Sequence, residues 1–121
     1  MNRALLFACF LALAAAPALA LDPKAPESCA TGPVIKTYGG TKWLVASCSD
    51  GRSLVFLTQE GSKAAPFEFD LTYTGDGYDL TGHGAGERKF TDAAYAELQK
   101  LTGPAVRALV EETQKAPKIH P

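Results

Sequence analysis

Residues 67–74 read Phe-Glu-Phe-Asp-Leu-Thr-Tyr-Thr. Phe67, Phe69, Leu71 and Tyr73 alternate with Glu68, Asp70, Thr72 and Thr74. A period of two over this length predicts a β-strand with one buried and one wet face. Turn signals recur at hairpin spacing on both sides of it: Gly39-Gly40, Asp50-Gly51 and the cluster Glu60-Gly61-Ser62-Lys63 upstream, and Gly75-Asp76-Gly77 just downstream. They divide the chain into five expected strands, at about 33–38, 41–48, 52–59, 66–74 and 77–83. Parallel neighbours would need long crossovers, so the short connections predict an antiparallel meander.

The second and third strands differ from the fourth. Leu54-Val55-Phe56-Leu57 is apolar on both faces, and Trp43-Leu44-Val45-Ala46 nearly so. In a five-strand meander the third strand is central, where two-sided burial is most natural.

Beyond residue 90 the period changes. Thr91 suits a helix N-cap, Asp92 complements the helix dipole, and Phe90 is placed to staple onto Tyr95. Ala94, Tyr95, Leu98 and Leu101 mark one helical face. Thr102-Gly103-Pro104 interrupts and restarts the helix, with Pro104 in a first turn. Val106, Leu109 and Val110 give the second segment its apolar side, and Lys115-Ala116-Pro117 ends it. The expected fold class is therefore α+β: a five-stranded antiparallel meander with one or two C-terminal helices packed on one face.

The N-terminus has a different character. Asn2 and Arg3 precede an apolar run from Ala4 to Ala16, and Pro17-Ala18-Leu19-Ala20 offers small residues for cleavage. These three parts predict a secretory signal peptide over residues 1–20, cut after Ala20, and no stable membrane span thereafter. The remaining divisions are an N-terminal segment at 21–32, a single domain at 33–116 and a flexible tail at 117–121.

Export leaves two cysteines, Cys29 and Cys48, because Cys9 departs with the signal. In an oxidising compartment such a pair predicts a disulfide rather than a metal site. Closing a loop of about 20 residues stabilises by on the order of 3 kcal/mol. Arg3 also leaves, so 11 basic side chains face 13 acidic ones, a net charge of about −2 in the mature chain. No basic stripe is present to hold phosphates, which argues against a nucleic-acid partner. A domain this small buries roughly 60–65% of the surface its unfolded chain exposes, so its stability is modest.

The stretch Gly82-His83-Gly84-Ala85-Gly86-Glu87-Arg88-Lys89 invites a functional reading. Its glycine spacing fits neither a P-loop nor a dinucleotide fingerprint, and no βαβ unit surrounds it. His83 and His120 are the only histidines, too few for a zinc site of three or four ligands. No cofactor or metal is expected, and the glycines read as a turn from the last strand into the first helix. Asp76 and Asp79 read as hairpin-turn residues rather than calcium ligands.

The two-sided strands carry more. Helices at one end of a chain cover one sheet face. The opposite face must be covered by the disulfide-tethered N-terminal segment, by strong sheet curvature or by another molecule, and an apolar face left open marks an interaction site. Val55 and Leu57 are the candidates there, with Trp43, whose alternative and commoner fate is core packing. The leading expectation is a small periplasmic or secreted module that binds a protein or envelope component through its sheet face or an edge strand. The alternative is a small envelope enzyme or ligand binder using His83, Glu87 and Arg88. A third is an enzyme inhibitor, although no inhibitory loop is recognisable. The absence of a catalytic set reads against an enzyme.

Overall fold

The computed structural model describes residues 28–117. The expected signal peptide and its cleavage site, the Pro-rich residues 21–27 and the tail from residue 118, with His120, lie outside the described residues.

Five strands, β1 (Thr31–Tyr38), β2 (Thr41–Ser47), β3 (Leu54–Thr58), β4 (Phe67–Tyr73) and β5 (Tyr78–Gly84), precede two helices, α1 (Arg88–Leu98) and α2 (Gly103–Lys115). The strands pair in sequence order, every pair antiparallel, so the sheet is a five-stranded meander with β3 in its centre. Observed strand ends fall within about two residues of those read from the turns, and the first strand starts earlier, at Thr31. The C-terminal segment forms two separate helices. Among the described residues no helix is long and apolar enough to cross a membrane.

Register divides the side chains into two sets. On the helix-covered side, Val34, Val45, Phe56 and Phe69 lie opposite one another across β1 to β4. Trp43, Leu54 and Leu71 join them, and Ala94, Leu98, Val106, Leu109 and Val110 from the helices complete the core. Phe69 is its aromatic hub, with ring centroids 5.2 Å from Trp43, 4.9 Å from Phe67 and 6.1 Å from Tyr95. Such tilted and offset contacts add to area burial because ring edges and faces carry opposite partial charge. Trp43 is 0% exposed, and its indole N–H donates to the Tyr38 carbonyl at 3.1 Å. It is a core residue and offers a partner nothing, so the candidate set on the other face loses it.

The helices depart from expectation at their first turn. Thr91 does not cap α1; the N-cap is Glu87, without a side-chain cap bond, and Thr91 is buried one turn inside. Phe90 accordingly lies within the helix instead of stapling its entry. The cause is the glycine stretch. The Ala85 N–H donates to the Pro66 carbonyl at 2.8 Å, and the Glu87 N–H to the Lys63 carbonyl at 3.2 Å. This stitches the connection onto the β3–β4 loop, so the chain is free to turn helical at Arg88. A side chain on Gly86 would run into the Ala64 carbonyl, and one on Gly82 would sit 2.8 Å from the Phe67 and Phe69 rings. These two glycines serve close approach more than conformational freedom. Thr102 does cap α2, accepting from the Ala105 N–H at 3.2 Å.

Candidate functional site

The sheet face opposite the helices is open among the described residues. Counting across the register, Ile35 faces Leu44, Leu44 faces Leu57, Leu57 faces Glu68 and Glu68 faces His83. One row thus crosses all five strands, apolar over β1 to β3 and ionisable over β4 and β5. The adjacent row runs Ala46, Val55, Asp70, Thr81. Ile35 remains 54% exposed and Leu57 38%. Val55 and Leu44 are half-buried.

At one end of this face sits the Cys29–Cys48 disulfide, its S–S distance 2.04 Å. Together with Val55, Leu57, Glu68, Asp70 and Thr72 it lines a groove of about 400 Å³. The groove has an apolar floor on β3 and an acidic wall on β4.

The acidic wall is electrostatically loaded. Glu68 and Asp70 are two residues apart on one strand, so both carboxylates emerge on the same face. Their mutual hydrogen bond, desolvation and like charge push the Glu68 pKa above the ordinary carboxylate range, while His83 pulls the other way. The His83 Nε2 lies 3.6 Å from Glu68 Oε1, too long for a hydrogen bond. Ligand atoms of Glu68, Asp70 and His83 all lie within 4.8 Å of one another, so among the described residues these three side chains could together hold a cation.

Sequence reasoning missed Glu68 and Asp70 as neighbours of His83. A signal was available. A hairpin turned at Gly75-Asp76-Gly77 that pairs Tyr73 with Tyr78 also pairs Glu68 with His83, by counting back along both strands. By contrast, His83, Glu87 and Arg88 are not gathered. His83 belongs to β5 and points to the open face, whereas Arg88 begins α1 and holds Asp92 at 3.4 Å. The cleft that His83 lines, with Leu57, Pro66, Phe67 and Glu68, includes neither Glu87 nor Arg88.

A second concavity lies at the far end of the helix-covered side. A cleft of about 540 Å³ opens between the β2–β3 turn, the β4–β5 turn and the first turns of α2. Arg52, Tyr73, Asp76, Tyr78 and Arg107 line it. Asp50 builds the turn that carries Arg52: its Oδ1 accepts from the N–H groups of Arg52 and Ser53, and its Oδ2 from the Ser53 hydroxyl at 2.6 Å. Burial alone would raise the Asp50 pKa; these hydrogen bonds outweigh it and hold the carboxyl below its usual value.

Compared with known proteins, the chain matches no family model, no curated protein and no solved structure.

Proposed function

We propose that this chain is a small binding module that engages a partner protein through its open sheet face. What supports the reading is the apolar row of Ile35, Leu44 and Leu57, left uncovered among the described residues and continued by Val55 beside it. Lone exposed apolar side chains are ordinary, but a contiguous set across three strands on a face without a covering helix is a surface suited to association. The charges next to it narrow the partner's chemistry. Glu68 and Asp70 flank the apolar floor and make no ion pair with Lys or Arg among the described residues. A segment presenting apolar side chains beside a lysine or arginine complements both halves. The N-terminal residues and the disulfide fit an exported chain, whose partner would be a protein of the envelope or the medium.

The test is site-specific photocrosslinking in cells, with the reactive residue at Ile35 or, as a control on the exposed side of α1, at Ala96. The reading expects one heavier adduct from position 35, none from position 96, and its loss when Leu57→Lys is added to a chain that keeps its sheet by circular dichroism. An adduct at twice the chain mass would identify a second copy in place of a different protein. Equal adducts from both positions, or none from Ile35, would refute the reading.

A further inference from the structure

The cleft beside α2 is lined by two guanidiniums that form no salt bridge among the described residues, although the charge of Arg52 also acts on the Asp50 carboxylate. The Arg52 guanidinium carbon lies over the Tyr73 ring, 4.7 Å from its centre, a cation–π contact. Such a contact draws on the cation's charge, and a guanidinium carries five N–H donors for other partners. Arg107 enters from α2 and folds back along the helix, its Nη1 3.6 Å from where a side chain on Gly103 would begin. Among the described residues neither arginine is in an ion pair. Asp50, the carboxylate nearest Arg52 in sequence, is already occupied by its own turn.

Two further groups complete the lining. The Tyr73 hydroxyl donates to the Gly75 carbonyl at 2.8 Å and is spent. Tyr78, whose ring packs 5.3 Å from Tyr73, also lines the cleft, and among the described residues its hydroxyl has no hydrogen-bond partner. Burial, with Tyr73 beside it, pushes the Tyr78 pKa up against the pull of Arg52 and Arg107, so the phenol stays a donor at neutral pH. Asp76 sits on the β4–β5 turn and is the one carboxylate in the lining. It opposes ligands of high negative charge and accepts hydrogen bonds from hydroxyl or amine groups.

From these pieces we infer that the cleft is a binding site for a small hydroxylated oxyanion, a sugar acid or sugar phosphate in chemical class. Arg52 and Arg107 hold the anionic group, Tyr78 donates to it, and Asp76 accepts from ligand hydroxyls. The volume suits a ligand of one or two sugar rings, within the range of small-molecule sites. Paired guanidiniums suit carboxylate and phosphate alike, because both present two acceptor oxygens to the planar fork. The inference is independent of the partner-binding reading, since the cleft and the open face lie on opposite sides of the sheet.

Calorimetric titration of the folded, disulfide-bonded chain with glucuronate, glucose 6-phosphate, inorganic phosphate and glucose tests it. Amide shifts in nitrogen–proton correlation spectra locate any binding. The inference expects saturable binding of glucuronate or glucose 6-phosphate, with shifts at Gly77 and Gly103 and not at Val55. Which of the two binds more tightly tells whether the anion is a carboxylate or a phosphate. Arg107→Gln and Arg52→Gln are exposed substitutions expected to weaken binding about tenfold or more each, the scale of a lost charge-assisted pair. Glucose binding as well as its acidic relatives would overturn the inference. Inorganic phosphate matching glucose 6-phosphate would do so too, by leaving Asp76 no role. So would the absence of saturable binding, or binding indifferent to both arginines.

Discussion

Thr113 ties α2 to the sheet, and removing its hydroxyl tests how that helix is held. Thr113 and Ser47 are each 1% exposed, and their hydroxyl oxygens lie 2.7 Å apart across the α2–β2 interface. The Thr113 oxygen is also 2.6 Å from the Val110 carbonyl, one turn back in the helix. A hydroxyl has one hydrogen. Thr113 therefore donates to Val110, which can only accept, and Ser47 donates to Thr113. Thr113→Val keeps the volume but replaces the shared oxygen with a methyl, and a methyl cannot remain 2.7 Å from an oxygen. Ser47 is then left with a buried, unpaired hydroxyl. The expected loss is about 1–3 kcal/mol. Ser47→Ala is milder, at about 1 kcal/mol, because Thr113 keeps its bond to Val110. In the double variant no orphaned hydroxyl remains, so its loss falls short of the sum by about 1 kcal/mol. Urea unfolding with the disulfide oxidised reads each value, and thermal melts should shift by about 4–8 °C per kcal/mol in a domain of this size. A Thr113→Val chain as stable as the parent, or a strictly additive double variant, would refute the assigned hydrogen-bond direction.

Two further outcomes concern the acidic wall and the glycine connection. Asp70→Asn removes the like charge beside Glu68 and is expected to stabilise the chain by about 0.2–1 kcal/mol near neutral pH. Glu68 has a raised pKa when folded, so the native chain holds the extra proton between the unfolded and folded values, and stability falls as pH rises through that window. The Asp70→Asn variant should flatten this part of the profile in melts from about pH 4 to about pH 7, and an unchanged slope would show that Asp70 is not the cause. Gly86→Ala drives a methyl into the Ala64 carbonyl and must separate α1 from the β3–β4 loop. A loss of about 1–3 kcal/mol is expected, the range for overpacking, and an unshifted melt would show that the connection yields freely.

Much of the fold was legible because strand chemistry is local. The alternation of Phe67 to Thr74 fixed which side chains of β4 turn inward, and turn residues placed all four hairpins. The two-sided apolarity of residues 43–46 and 54–57 marked the middle of the sheet. What misled was equally local. Thr91 has the chemistry of a cap, but the helix start is decided by backbone hydrogen bonds from Ala85 and Glu87 to the β3–β4 loop, some twenty residues away. Trp43 shows the same limit: on a strand apolar on both faces, no pattern tells which side a given aromatic takes. Register decides it, through the opposition of Trp43 to Lys36 and Thr58 on the helix side.

The two candidate surfaces differ in the same respect. The row from Ile35 to His83 follows from hairpin counting, since every partner is a sheet neighbour of the next. The cleft does not, because Arg52 and Arg107 come to line one cleft only after α2 docks, and docking depends on Val106, Leu109 and Val110 packing into the core over β1 and β2. The helix side already supplies the core with Phe56, Phe69 and Trp43, so folding places little demand on the opposite face. Thr or Ser at Leu57 would suit a solvated strand equally well and cost little burial, because Leu57 keeps more than a third of its surface in water. An apolar row where stability gains little from it is what the proposed partner-binding reading accounts for. A substitution that solubilises this face without unfolding the chain, Leu57→Thr, therefore separates the demands of the fold from those of a partner.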